Sequence, residues 1–205
     1  MTYIKYQRTL HLPWSPGATN DDKVLKNVDH FVGKEVVATF KKDGENTSMY
    51  PDYFHARSID SRHHPSRDWL SRFHASVSYK IPEGWRICGE NLYARHSISY
   101  ENLPSYFMGF SIWDENNVCL DWDTTLMWFE DIGIVPVETI YRGVFNEQFL
   151  RRFNIGEEEG YVVRLAGSFH YDEFSTSVAK FVRPHHVQTD EHWFHAKVVP
   201  NGLAQ

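Results

Sequence analysis

A chain of 205 residues, 41% apolar and 16% aromatic, can bury a core of its own and fits one domain or a domain with a small appendage. Its formal charge of −6 excludes a uniformly basic surface, so any nucleic-acid site must be local. The N-terminus, Met-Thr-Tyr-Ile-Lys, has no apolar h-region and no apolar run approaches membrane-spanning length, which predicts a soluble, cytoplasmic protein with no membrane partner. Cys88 and Cys119 are too few for a disulfide framework and form no Cys-x-x-Cys pair, so reduced, buried thiols are expected.

Residues 11–22 read as a loop punctuated by Pro and Gly. Glu35 to Phe40 is β-branched and apolar and reads as a strand. Asp43-Gly44 is a turn signal, which makes Thr47 to Tyr50 the returning strand of a hairpin with Lys41 at its mouth. Ser66 to Tyr79 reads as a helix, because Trp69, Leu70, Phe73 and Val77 share one face, with Ser66 as N-cap. Trp85 to Leu92 and Tyr106 to Trp113 read as strands. Thr124 to Asp131 reads as a helix capped by Asp123, Ile134 to Ile140 as a strand, and Glu147 to Phe153 as a short helix behind Asn146. Gly160 to Leu165 and Ser177 to Val182 are further strands. Strands dominate without regular alternation with helices, which predicts an α+β fold with antiparallel sheets.

The segment Ala38-Thr39-Phe40-Lys41-Lys42-Asp43-Gly44-Glu45-Asn46 places Lys-x-Asp-Gly just after an apolar run. It resembles the nucleophile motif of covalent nucleotidyltransferases, in which a lysine amine attacks the α-phosphate of a nucleoside triphosphate and keeps the nucleotide as a phosphoramidate. That chemistry needs a neutral amine, hence a pKa lowered by burial or neighbouring cations. It needs cations or a metal at the α-phosphate, and carboxylate oxygens for a divalent ion. The base needs a stacking surface and the ribose hydrogen-bond partners. Candidates follow in chain order: Arg57 in His55-Ala56-Arg57-Ser58, Glu90 in Gly89-Glu90-Asn91, Phe110 in the aromatic strand 106–112, Glu159 in Glu159-Gly160-Tyr161-Val162-Val163-Arg164, and Lys180 in Val178-Ala179-Lys180-Phe181-Val182-Arg183.

Order and spacing are similar to the successive motifs I, Ia, III, IIIa, IV and V of ATP-dependent RNA ligases, especially the group similar to phage T4 RNA ligase 2, over about Val36 to Arg183. The resemblance implies a ligase nucleotidyltransferase (ATP-grasp-like) domain, with antiparallel sheets around a nucleotide cleft and flanking helices. It implies Lys41 as adenylated nucleophile and Asp43 and Asn46 as assistants in the later steps with nucleic acid. Arg57 would contact the ribose or the incoming 5′-phosphate end. Glu90 would hydrogen-bond the ribose and Phe110 would stack on adenine, with Phe107 as rival. Glu159 would hold Mg²⁺ or Mn²⁺ directly or through water. Lys180 would neutralise the α-phosphate, with Arg183 as a possible partner.

Two positions depart from the pattern. Ligases of this group often carry glutamate before the nucleophile, where Phe40 stands, and a second lysine two residues before Lys180, where Val178 stands. In an extended strand an offset of three changes face, so Lys180 is the safer choice over Arg183.

The implied activity is ATP-dependent RNA ligation, joining 5′-phosphate and 3′-hydroxyl RNA ends through a lysyl-AMP and an adenylated 5′ end, as in RNA repair. About twenty residues follow the last motif, so no C-terminal oligonucleotide-binding barrel is expected and residues 1–205 are read as one domain. Such a domain would bind RNA weakly, grip it with the basic cluster Arg57, Arg62, His63, His64, Arg67 and Arg72, or depend on an accessory repair protein. Taken alone, that cluster reads as a solvated surface. The alternatives are a GTP-dependent capping-type guanylyltransferase and a noncatalytic RNA- or nucleotide-binding module on the same scaffold. The histidine pairs His63-His64, His185-His186 and His192/His195 match no zinc spacing and read as surface residues, some of them near nucleic-acid phosphate. Trp14 and Trp193 read as packing residues.

Overall fold

A computed structural model describes residues 2–184 and 197–205. His185, His186, His192, Trp193 and His195 lie outside the described residues. The strands are β1 (Leu10–His11), β2 (Glu35–Lys41), β3 (Glu45–Met49), β4 (Phe54–Ala56), β5 (Arg86–Asn91), β6 (Phe107–Trp113), β7 (Val118–Cys119), β8 (Val135–Pro136), β9 (Thr139–Val144), β10 (Gly160–Leu165), β11 (Phe169–His170) and β12 (Val178–Val182). The helices are α1 (Asp68–Val77), α2 (Trp122–Ile132), α3 (Glu147–Arg152) and α4 (Phe174–Ser177). One sheet has the order β1-β12-β10-β2-β9; the other runs β11-β7-β6-β5-β3-β4, with β8 beside β6. Pairing is antiparallel except for β1 on β12 and β8 on β6. This is the α+β architecture the sequence predicts.

β2 organises the first sheet because both of its faces are covered. Val36 and Ala38 pack outward with Leu150 of α3, Phe31 and Tyr161. Val37 packs the other way, with Leu92, Met108 and Trp122 between the sheets. Continuing that alternation, Thr39 and Lys41 face the space between the sheets, and Phe40 faces outward, 6.0 Å from the Phe153 ring. α1 and α2 cover the second sheet through Leu70, Val77, Phe129 and Ile132, which share a buried cluster with Met49, Ile87, Phe107 and Ile112. No helix among the described residues is long and apolar enough to cross a membrane. Cys88 and Cys119 are free and fully buried, as expected.

Four expectations about elements are corrected. β2 and β3 do not form a hairpin: β3 pairs with β4 and β5, so residues 42–44 carry the chain from one sheet to the other. A two-residue hairpin turn of the Asp-Gly kind needs positive φ at its central residues, and neither Asp43 nor Gly44 has it. Instead the link is tied down by tertiary bonds: the Asp43 carboxylate accepts from Ser97 N at 2.9 Å and Ile98 N at 2.9 Å, and Gly44 N donates to Glu90 at 3.2 Å.

The expected strand Ile134–Ile140 is split between the sheets. Val135 and Pro136 pair with Met108 and Gly109 of β6, whereas Thr139 onward pairs with β2. Pro136 cannot donate to a ladder, which favours a strand end there. The cap of α2 is Asp121, whose carboxylate accepts from Thr124 N at 2.9 Å; Asp123 instead pairs with Arg142. The chain enters α1 through a 3-10 turn at Pro65–Arg67 capped by His64, whose ring accepts from Ser66 N, so Ser66 is the capped residue and not the cap. Asn146 does cap α3, accepting from Phe149 N at 2.9 Å.

Candidate active site

Between the sheets lies a cleft of about 830 Å³ whose walls include Lys41, Arg57, Glu90, Phe110, Glu159 and Lys180. Asp43 and Asn46 also line it, whereas Arg183 and Phe107 do not. Each side chain owes its place to a strand end or a cross-strand register. Lys41 ends β2 opposite Gly160, the first residue of β10, so Glu159 arrives beside it from the preceding loop. A Cβ at Gly160 would collide with the Phe181 carbonyl, so only glycine lets the chain approach β12 there. Asn46 of β3 pairs with Glu90 of β5, which projects both toward the link carrying Lys41. Val162 of β10 lies opposite both Thr39 and Lys180, which fixes Lys180 one register step deeper than Lys41.

The electrostatics differ from the sequence expectation in one respect. Lys41 Nζ donates to Glu159 at 2.5 Å, and Glu159 is 1% exposed. Burial works against the Lys41 ammonium, but the Glu159 and Glu90 carboxylates outweigh it and hold its pKa above the ordinary lysine value. Lys41 is therefore held charged and paired rather than neutral. Glu90 shows the opposite balance: burial dominates the attraction of Lys41 and, with Glu159 and Asp43 nearby, pushes its carboxyl up to about 8. Burial and the neighbouring Lys41 lower Lys180 to about 8.

A second ion pair, Lys42 with Glu158, flanks the first, and Lys42 also lies 5.2 Å from the Tyr100 ring centre. Tyr100 accepts from Asp43 N at 2.9 Å and donates to Glu158. Asp43 is thus an anchor for the loop 95–100: it is 8% exposed and also accepts from Ser97 Oγ at 2.6 Å. Asn46 keeps a buried Oδ1 with no hydrogen-bond partner among the described residues. Phe110 is half-buried, with the Tyr6 ring edge-on at 5.4 Å. Phe107 is fully buried under Phe73 of α1, at 5.8 Å, which makes it a core residue. Arg183 uses its backbone N–H to hold the Glu159 carbonyl at 3.0 Å and its guanidinium to bond Glu157 O, so it supports the site from outside the cleft.

The basic cluster is divided. Arg57, Arg62, His63 and Arg72 are exposed, but His64 and Arg67 are buried, and Arg67 is held by both oxygens of Glu45. His63 and His64 turn to different partners, Asp68 and Ser66, and no group of three His, Cys, Asp or Glu side chains among the described residues could hold a metal. A magnesium-like ion carried by one carboxylate, phosphate oxygens and water does not need such a group, and the buried Glu159 with Glu90 near it fits that kind of site. Trp14 is a packing residue, bonded through Nε1 to Tyr161. Sequence reasoning missed Tyr6, Arg8, His11, Asp22, Ser111 and Arg164. The only local signal was a histidine inside the apolar run Leu10-His11-Leu12.

Two sheets enclosing a lysine-bearing cleft define a nucleotidyltransferase fold, and structures of Naegleria gruberi RNA ligase share it. One, with PPi, gives a TM-score of 0.56 at 16% identity, covering 76% of this chain and 51% of that one. A variant with ATP and Mn gives 0.55 at 15% identity, covering 76% and 52%. A second variant with ATP and Mn gives 0.55 at 13% identity, covering 89% and 61%. The chain thus spans about half to three fifths of the length of these ligases. No curated protein matches the chain in sequence. The RNA ligase family profile matches residues 34–182, most of the chain, and the protein belongs to the RNA ligase family.

Proposed function

We propose that this protein is an ATP-dependent RNA ligase acting through a lysyl-AMP. The observation that carries the reading is the convergence of Lys41, Glu90, Glu159 and Lys180, from four separate strands and loops, on one cleft. Lys41 Nζ, once released from Glu159 and deprotonated, attacks the α-phosphorus of ATP. A P–N bond forms, the bond to the bridging oxygen of the β-phosphate breaks, and pyrophosphate leaves. Lys180 neutralises the charge that grows on the α-phosphate oxygens. Glu90 holds the ribose, and Phe110 offers the base a stacking face. A 5′-phosphate oxygen of RNA then attacks the same phosphorus and displaces Lys41, giving a 5′–5′ pyrophosphate link. Finally a 3′-hydroxyl attacks the 5′-phosphorus and AMP leaves.

Mg²⁺ or Mn²⁺, held by Glu159 directly or through water, would supply charge neutralisation at the phosphates. In occupying Glu159 it would also release Lys41 as a free amine. Arg57, exposed on the cleft wall, would meet the 5′-phosphate end. Phe40, in the position of the common glutamate, offers a base no side-chain hydrogen bond, so base selection falls to the backbone and other side chains. That keeps GTP in the test. RNA as substrate, any accessory repair protein and a cytoplasmic location belong to the same proposal.

The test is transfer of label from α-labelled ATP to the protein with Mg²⁺ or Mn²⁺, with GTP in parallel, followed by joining of 5′-phosphate and 3′-hydroxyl RNA. Acid-labile label from ATP that is lost in Lys41→Ala, and sealed RNA, are expected. Label from GTP alone would move the protein to the capping class. A folded protein that binds RNA and takes no label would be a binding module.

A further inference from the structure

Residues 6–22 precede the stretch 34–182 that carries the family match, yet they form part of the cleft wall through Tyr6, Arg8, Thr9 and Asp22. β1 is the cause. It adds to β12 in parallel, with His11 opposite Lys180, and Leu12 N donates to Lys180 O at 2.7 Å. The His11 side chain is fully buried and fixed through Nδ1 to Ser15 Oγ at 2.7 Å, and Ser15 Oγ in turn accepts from Val182 N at 2.9 Å. The other ring nitrogen, Nε2, faces Asp22 Oδ2 at 3.5 Å. Thr19 adds its N–H and its hydroxyl to the same carboxylate oxygen, both at 3.0 Å. A carboxylate is thereby held in the cleft by two donors, neither of which carries a formal positive charge, with the His11 ring against it.

Lys180 is buried and stands among the cations Lys41 and Arg57 and the anions Asp22 and Glu159, with neutral His11 beside it on β1. Glu159 is committed to Lys41. Among the described residues Asp22 pairs with no lysine or arginine, so its charge is available to Lys180. We propose that Asp22, held by Thr19 against His11, is a positioning residue that keeps the Lys180 ammonium charged and directed into the cleft. Its effect on catalysis rests on the reading of Lys180 as the counter-ion of the α-phosphate.

The primary test needs no catalysis. The pH dependence of Lys180 acylation by a small amine reagent, read by mass spectrometry without ATP, should move to lower pH in Asp22→Asn and return toward the wild type in Asp22→Glu. The exposed Lys5 and Lys23 should not move. An unchanged Lys180 profile in folded Asp22→Asn would overturn the proposal. Should that variant fail to fold, Thr19→Ala, which loosens the same carboxylate, should give a smaller shift in the same direction, and no shift there would overturn it equally.

In the catalytic arm, labelling at subsaturating ATP reports the free enzyme. Asp22→Asn should cost about fivefold more at pH 8.5 than at pH 6.5, and this difference should vanish in a Lys180→Arg background, where the cation cannot be lost. A wild type that takes no label defeats the ligase reading alone, because the acylation profile still decides the role of Asp22.

Discussion

Lys41, the nucleophile of the proposed reaction, would have to pass between two states. The pairing with Glu159 keeps it charged at rest, and removal of that pairing frees an amine. Glu159→Gln should therefore have opposite effects on two measurements. Acylation of Lys41 by an amine reagent should move to lower pH, because the main attraction holding its proton is gone. Label transfer from ATP should fall by about 10²-fold, because the charge-neutralising site at the phosphates is lost. Lys41→Arg should keep the ion pair and the melting temperature while taking no label. The identity of most of these residues was legible in the sequence as types in order: Lys41, Glu90, Glu159 and Lys180. Their charge states were not, since a pKa depends on burial and on neighbours from distant strands.

Elements show where local patterning suffices and where it fails. Leu70 and Val77 lie on the helical face of α1 that periodicity marks, and Leu70 is fully buried against Phe107 and Phe129 in the same cluster. Leu70→Ala should cost about 2–5 kcal/mol in a denaturant titration. Caps were misplaced because Asp, Ser and Thr are abundant near helix starts and only geometry selects one. Asp121→Ala should destabilise by about 1 kcal/mol. Asp123→Ala, which removes an exposed pair with Arg142, should stay within about 0.5 kcal/mol. β2 and β3 look like a hairpin because an apolar run, Asp-Gly and a second extended run follow one another. Whether two extended runs pair with each other or with partners elsewhere is a long-range choice, settled here by the Asp43 and Glu90 bonds to the link between the sheets.

At the scale of the whole molecule, burial of histidine makes the fold sensitive to acid. His11 is lowered to about 4, chiefly by burial and then by Lys180; His30 and His55 are also lowered by burial. The unfolded chain therefore binds more protons than the folded one between the free histidine pKa, about 6.5, and the lowered values. The histidine contribution should be constant above that pH and fall as pH drops from about 6.5 toward 4, by an amount on the order of 1–3 kcal/mol, while Glu90, raised to about 8, works in the opposite direction across the same window. Thermal melts of wild type and His11→Gln across this range isolate the histidine contribution: the two should differ in their pH dependence, and an identical dependence would contradict the burial of His11. The sequence by itself determined the α+β class, the strands that carry Lys41, Glu90 and Lys180 or begin just after Glu159, and their order, because periodicity and short motifs are local properties of the chain. Tertiary structure alone decided that the link after Lys41 joins two sheets, that Arg183 and Phe107 lie outside the cleft, and that Asp22 and His11 stand beside Lys180. Each of those facts follows from strand pairing and packing between segments far apart in the chain, which local patterning does not encode.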